Sequence, residues 1–287
     1  MIFLSGCQQV PTKAFEQVPT RVKTPKISQS DLSSPGSVIF DVRSTLEFQT
    51  SKIPNSVQIN STDFYQNKEP FLGLIQADLY ALARKLALFG VDPETEVIIV
   101  GKGLAGSGEE GQLAWALQYM GVKDVKIDNV ENYDRPVQDL GARPPQQKPI
   151  WKPVLQQDLE ISVGEFKKKL KAFATREVIL IDVRSEAEYL RKADDIYAKE
   201  APDLGAINIE WKKLIQSDSS LNEGIRGILK TLGVNRDQEI ILISNKGVRS
   251  AFATYILREM GYSKARNFSG GYMLLLKDHL PLKRIGL

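Results

Sequence analysis

The strongest constraint on the fold is that the chain repeats itself. Phe40-Asp41-Val42-Arg43-Ser44-Thr45-Leu46-Glu47-Phe48 returns 141 positions later as Ile181-Asp182-Val183-Arg184-Ser185-Glu186-Ala187-Glu188-Tyr189. Flanking pieces recur in the same order. Ile27-Ser28 matches Ile161-Ser162, and Val57-Gln58-Ile59 matches Ile207-Asn208-Ile209. Phe89-Gly90-Val91 with Glu96-Val97-Ile98 matches Leu232-Gly233-Val234 with Glu239-Ile240-Ile241, and Tyr119-Met120-Gly121 matches Glu259-Met260-Gly261. Such co-linear self-similarity marks one structural unit used twice. Between the copies, Arg143-Pro144-Pro145 to Pro149 and Pro153 form a connector that can neither continue a helix nor join a central strand. The chain therefore divides into an N-terminal segment (1–26), a first domain (27–140), a connector (141–158) and a second domain (159–287).

Within each half, short apolar runs alternate with helical patterns. In the second half, Val178–Ile181 and Ile240–Ile243 read as buried strands. A helix ends at Gly233, and Ser250–Met260 reads as a helix with Phe252, Ile256 and Leu257 on one face, stopped by Gly261. Strands alternating with helices predict an α/β fold, each domain a parallel sheet flanked by helices. Ligands of such sheets sit beyond the carboxyl ends of the strands.

Composition removes most alternative chemistries. The chain has one cysteine, Cys7, and one histidine, His279. That excludes a disulfide framework, a zinc site of the usual nitrogen and sulfur ligands and an iron–sulfur cluster. No metal or cofactor is expected. A net charge of +3 gives no reason to expect nucleic acid. The basic run Lys167-Lys168-Lys169-Leu170-Lys171 lies on a helical pattern with Phe166, Leu170 and Phe173 inward, so it reads as a solvated helix face. The acidic segment Asp194-Asp195 to Asp203 has no cation-binding pattern and reads as a solvated insertion.

The loop leaving Ile240–Ile243 is Ser244-Asn245-Lys246-Gly247-Val248-Arg249-Ser250. A strand that turns into a helix N-terminus gathers backbone N–H groups where the helix dipole favours an anion. Lys246 or Arg249 would add charge-assisted hydrogen bonds of roughly 1.5–3 kcal/mol each when shielded. The corresponding loop of the first half, Gly101-Lys102-Gly103-Leu104-Ala105-Gly106-Ser107-Gly108, is longer. It spells a G-x-G-x-x-G string, but a dinucleotide fingerprint belongs on the first strand of its unit and this strand comes later. Asp41/Arg43 and Asp182/Arg184 follow strands at equivalent places and are expected to fasten loops by hydrogen bonds.

Taken together, the two Asp-Val-Arg-Ser segments, Gly205-Ala206-Ile207-Asn208-Ile209, the Ser244–Ser250 loop and Asn267-Phe268-Ser269-Gly270-Gly271-Tyr272 resemble the rhodanese domain. The resemblance runs over roughly residues 24–287, in the tandem arrangement of thiosulfate and mercaptopyruvate sulfurtransferases. In that family a cysteine opens the second-domain loop and carries the transferred sulfur as a persulfide. Here that position is Ser244, and in the first half it is Gly101. A serine oxygen cannot hold a persulfide, and its hydroxyl ionises far less readily than a thiol. The resemblance thus implies a catalytically degenerate protein whose Ser244–Ser250 loop binds a small oxyanion or a protein partner. The enzymatic alternative is a sulfurtransferase-like or phosphatase-like enzyme with a nucleophile other than cysteine.

Leu4-Ser5-Gly6-Cys7 resembles the lipobox of bacterial lipoproteins, which implies lipidation of Cys7. The segment after it, with Gln9-Val10-Pro11-Thr12 echoed in Gln17-Val18-Pro19-Thr20, reads as a flexible tether. A secretory signal needs an apolar stretch of roughly 7–15 residues, more than the six that precede Cys7, so this reading expects translation to begin upstream. It places the protein in the bacterial cell envelope, lipid-anchored and facing the periplasm. Gln8 after the cysteine favours the outer membrane. Without lipidation the reading is a cytoplasmic protein with a disordered N-terminus.

Overall fold

The computed structural model describes residues 36–69, 71–133 and 146–277. Cys7 and its tether, Ile27-Ser28, His279 and residues 134–145 lie outside the described residues.

The first half runs β1 (Val38–Asp41), α1 (Thr45–Thr50), β2 (Ser56–Gln58), α2 (Leu79–Leu88), β3 (Glu96–Gly101), α3 (Glu109–Met120) and β4 (Asp124–Asn129). The connector leads through α4 (Val163–Lys168) and α5 (Leu170–Thr175) into β5 (Ile179–Asp182). Then follow α6 (Glu186–Tyr189), α7 (Ile196–Glu200), β6 (Ile207–Asn208), α8 (Gly224–Thr231), β7 (Ile240–Ile243), α9 (Val248–Glu259), β8 (Ala265–Asn267) and α10 (Gly271–Lys277). Two four-stranded sheets result, ordered β2-β1-β3-β4 and β6-β5-β7-β8, with every pairing parallel. The α/β architecture read from the repeat is the one observed.

Register ties the two halves residue by residue. Asp41 pairs with Val100 and Asp182 with Ile243, so Gly101 and Ser244 each stand one residue beyond the same point of their sheets. The four long helices end alike. After α2, α3, α8 and α9, Gly90, Gly121, Gly233 and Gly261 take positive φ, and the next N–H reaches back to the carbonyl of Leu86, Leu117, Leu229 and Leu257.

Alternation along the strands builds three cores. Phe40, Ile179, Ile181, Ile240 and Leu242 face one cluster shared by both halves. Leu180, Ile241 and Ile243 face a second cluster, under α4, α5 and α10, while Ile39 and Val100 face a third. The shared core is closed by α3 packed on α9. A Cβ on Gly111 of α3 would lie 2.1 Å from the Phe252 ring of α9, so the missing side chain is what lets the helices approach. Tyr255 Oη donates to the Val125 carbonyl across the halves, 3.0 Å.

Three details differ from the sequence reading. The helix α9 is buried continuously from Ser250 to Leu257 and not on one face, because a sheet covers one side and α3 the other. The lysine-rich helix breaks at Lys169 into α4 and α5, and Lys169 bonds Glu239 at 2.8 Å. The acidic insertion is packed: it forms α7, buries Ala198, Ala201 and Leu204, and offers the Tyr197 carbonyl to Arg184. The connector is likewise held, by Val154 N–H on Met120, Gln156 N–H on Tyr119 and Trp151 Nε1 on Val91.

Candidate functional site

Asp182 ends β5 wholly buried. Its carboxylate accepts both the backbone N–H and the side-chain Nε and Nη2 of Arg184, at 2.7–3.0 Å. Arg184 Nη1 donates to the Tyr197 carbonyl (3.0 Å), and the Tyr272 ring covers its guanidinium at 4.0 Å. The expected fastening role is what these residues show. Asp41 and Arg43 repeat it, with Arg43 Nη2 reaching the Ser51 carbonyl at 2.7 Å.

Ser185 caps α6 reciprocally with Glu188, the capping box S-x-x-E being legible in the sequence. Glu188 then reaches the loop after β7. Its carboxylate accepts both Arg249 Nη atoms (2.7 and 2.8 Å) and Asn245 Nδ2 (2.8 Å). Burial pushes this carboxyl up, but the Arg249 guanidinium outweighs it and holds the group down at about 2. Arg249 is thereby committed to an internal ion pair. Lys246 remains as the loop's exposed cation, its Nζ 5.9 Å from the Tyr197 ring.

The loop is fixed from below. Ser244 is 1% exposed, and its Oγ accepts the Ser250 N–H at 3.3 Å and lies 3.2 Å from Ser250 Oγ. Its carbonyl accepts the Tyr272 N–H, while Asn245's accepts that of Met273. Gly247 has φ +78°, and a Cβ on it would lie 2.0 Å from the Ser269 carbonyl oxygen. Ser269 is in turn gripped by Glu160, which accepts its Oγ–H at 2.7 Å and whose carboxyl burial raises to about 8. From the first half, Gly73 lies against Lys246: a Cβ there would be 1.8 Å from its carbonyl oxygen. Among the described residues, the N–H groups of Asn245, Lys246, Gly247, Val248 and Arg249 have no hydrogen-bond partner. Five consecutive N–H donors without a partner among the described residues thus stand at the start of a twelve-residue helix, the end where the helix dipole is positive.

The first half builds its loop differently. The extra residues close a 3-10 turn, Gly103–Ala105, with Ala105 and Gly106 N–H bonded to Lys102 and Gly103 carbonyls. Gly103 N–H donates to Glu110 Oε1 (3.1 Å), and Ser107 N–H to Glu109 Oε2 (3.0 Å). Glu110 is fully buried, and burial pushes its carboxyl up to about 7. Glu47, capped by Ser44, pairs with Lys102 at 3.1 Å, as Glu188 pairs with Arg249. A shallow cavity of about 260 Å³ lies beside Arg43, Glu47 and Lys102.

Sequence reasoning found the loop but not Glu110, Glu160 or Gly73. Glu188 stood in the repeated motif without a role. No group of metal-ligating side chains occurs among the described residues.

Two parallel-sheet domains, each with a strand-to-helix loop at the carboxyl end of its third strand, define a duplicated α/β protein. The rhodanese-like domain model matches residues 24–129 and again 162–277, and the chain belongs to that family. A sulfur carrier protein, TtuD of Thermus thermophilus, is 22% identical over 265 residues, 85% of this chain and 89% of its own. Among solved structures, the 3-mercaptopyruvate sulfotransferase SseA of Escherichia coli superposes with a TM-score of 0.68 at 19% identity, over 84% of this chain and 95% of its own. EanB in complex with ergothioneine gives 0.72 at 18% identity, over 86% of this chain and 63% of its own.

Proposed function

We propose that this member of the sulfurtransferase family is catalytically degenerate, and that its Ser244–Ser250 loop binds a small oxyanion or an anionic group of a protein partner without transferring sulfur. The observation that carries the reading is the row of N–H donors from Asn245 to Arg249, without partners among the described residues, beside a buried serine. Backbone donors and the helix dipole suffice for an anion, with Lys246 as the adjoining charge. Persulfide chemistry needs more, because the carrier must form a sulfur–sulfur bond, and Ser244 offers oxygen. Among the described residues, the Ser244 hydroxyl meets Ser250 and no base that would activate it as a nucleophile.

Thiosulfate:cyanide sulfurtransferase assays on purified protein are expected to give no turnover above a Ser244→Ala control. Turnover above that control would overturn the reading in favour of the enzymatic alternative, which the sulfur carrier and sulfotransferase relatives favour. Ser244→Cys is the gain-of-function arm. Its thiolate should take the outer sulfur of thiosulfate and release sulfite, visible by mass spectrometry as one added sulfur atom. A loop unable to hold an anion would leave Ser244→Cys unmodified.

We further propose that Cys7 carries a lipid that holds the protein at the cell envelope, on the strength of Leu4-Ser5-Gly6-Cys7. Membrane fractionation of the native protein should find it with the envelope. Cys7→Ala should release it, and an unchanged distribution would refute the anchor.

A further inference from the structure

We infer that the chain's own Glu110 carboxyl group fills the first half's loop, and that removing this group opens a site for a small free carboxylate. Four observations meet at one place.

Gly101 holds the register position of Ser244. A Cβ added to Gly101 would lie 2.5 Å from Glu110 Cδ and Oε2, so the carboxyl group fills the space that a side chain at this strand end would take. Glu110 Oε1 accepts the Gly103 N–H, the donor two residues beyond Gly101. In the second half, the N–H two residues beyond Ser244 is that of Lys246, which has no partner among the described residues.

Glu110 Oε2 is buried without a hydrogen-bond partner among the described residues, so the carboxylate leaves acceptor capacity unused at the centre of the loop. Ser219 Oγ, 6% exposed and also unpartnered, lies across Gly103, 2.5 Å from where a Cβ on that glycine would sit. Asn129 Nδ2 is 2.7 Å from the same point. Gly103 is thus flanked by two unpartnered oxygens, Glu110 Oε2 and Ser219 Oγ, and by the Asn129 amide, which donates to the Ser217 carbonyl.

The helix that follows, α3, has twelve residues, and its N-terminus favours negative charge as α9's does. Counting back from the matched helix ends Met120 and Met260, Glu110 stands where the second half has Ser250. The serine there bonds Ser244, while the longer glutamate reaches back to the Gly103 N–H. The duplicated loop is therefore built in two ways, with Ser250 on Ser244 in the second half and Glu110 on Gly103 in the first.

The piece that Glu110→Ala deletes, a methylene and a carboxylate, has the heavy atoms of acetate. Acetate is therefore the probe, with chloride at equal ionic strength as control. In the full chain carrying Glu110→Ala, acetate is expected to raise the unfolding midpoint by about 3 °C at ten times its dissociation constant. Wild type sets the baseline, including whatever acetate binds at the second-half loop. Glu110→Ser, which copies Ser250, is the companion variant and should respond in the same way. The increment is read against wild type, so it stands or falls independently of binding at Ser244–Ser250. If both variants fold and acetate moves their midpoints no more than wild type's, the inference is wrong. It is equally wrong if neither variant folds even when refolded in acetate, since Glu110 would then be a packing group whose place no free anion can take.

Discussion

Two buried or half-buried glutamates show how environment assigns opposite roles to one residue type. Glu188 meets a bidentate guanidinium and stays ionised, held at about 2 against the cost of burial. Glu110 receives one loop N–H and has no cation in hydrogen-bonding contact, so burial dominates and its carboxyl titrates near 7. A carboxyl raised in the folded state contributes stability that is complete below its unfolded value, near 4.5, and is lost as pH rises through about 7. Glu110→Gln keeps the shape and cannot ionise. The variant should therefore gain on wild type between pH 5 and pH 8, by on the order of 3 kcal/mol. Urea unfolding of both proteins across that range reads the difference directly, and the comparison cancels Glu160, which titrates in both. A constant difference between the two proteins would show that Glu110 does not titrate in this window.

At the scale of elements, strands and helices were legible because their physics is local. Buried parallel strands need unbroken apolar runs, as in Ile240–Ile243, and helices that stop at a left-handed residue favour glycine, as at Gly233 and Gly261. The reciprocal Ser-x-x-Glu caps of α1 and α6 are equally local, each closed within four residues. What the loops do with their glutamates was not. Glu47 and Glu188 reach cations that come from a different strand end, and Glu110 turns back onto Gly103. Arg249 illustrates the same limit: its charge suggested a ligand contact, and its partner is Glu188, 61 residues earlier. The G-x-G-x-x-G string is a further case. Its glycines accommodate a close turn and the Glu110 carboxyl, which a sequence pattern for dinucleotides cannot distinguish.

At the scale of the molecule, the two copies share a core through α3 and α9, where Gly111 meets Phe252. Replacing a helical glycine such as Gly111, in the first turn of α3, by alanine ordinarily stabilises a helix by up to about 1 kcal/mol. Gly111→Ala should instead destabilise by roughly 1–3 kcal/mol, because the new methyl overlaps the ring. That cost should vanish in a Phe252→Ala background, as a double-mutant cycle in urea would reveal. Equal costs in the two backgrounds would show that the helices do not meet as described. The repeat, the parallel sheets and the absence of cysteine from both loops were determined by the sequence alone, since they depend on residue identity and on patterns a few residues long. The tertiary structure decided what each loop's glutamate meets. That outcome depends on side chains meeting across elements, where one carboxylate finds an arginine and the other only a backbone N–H.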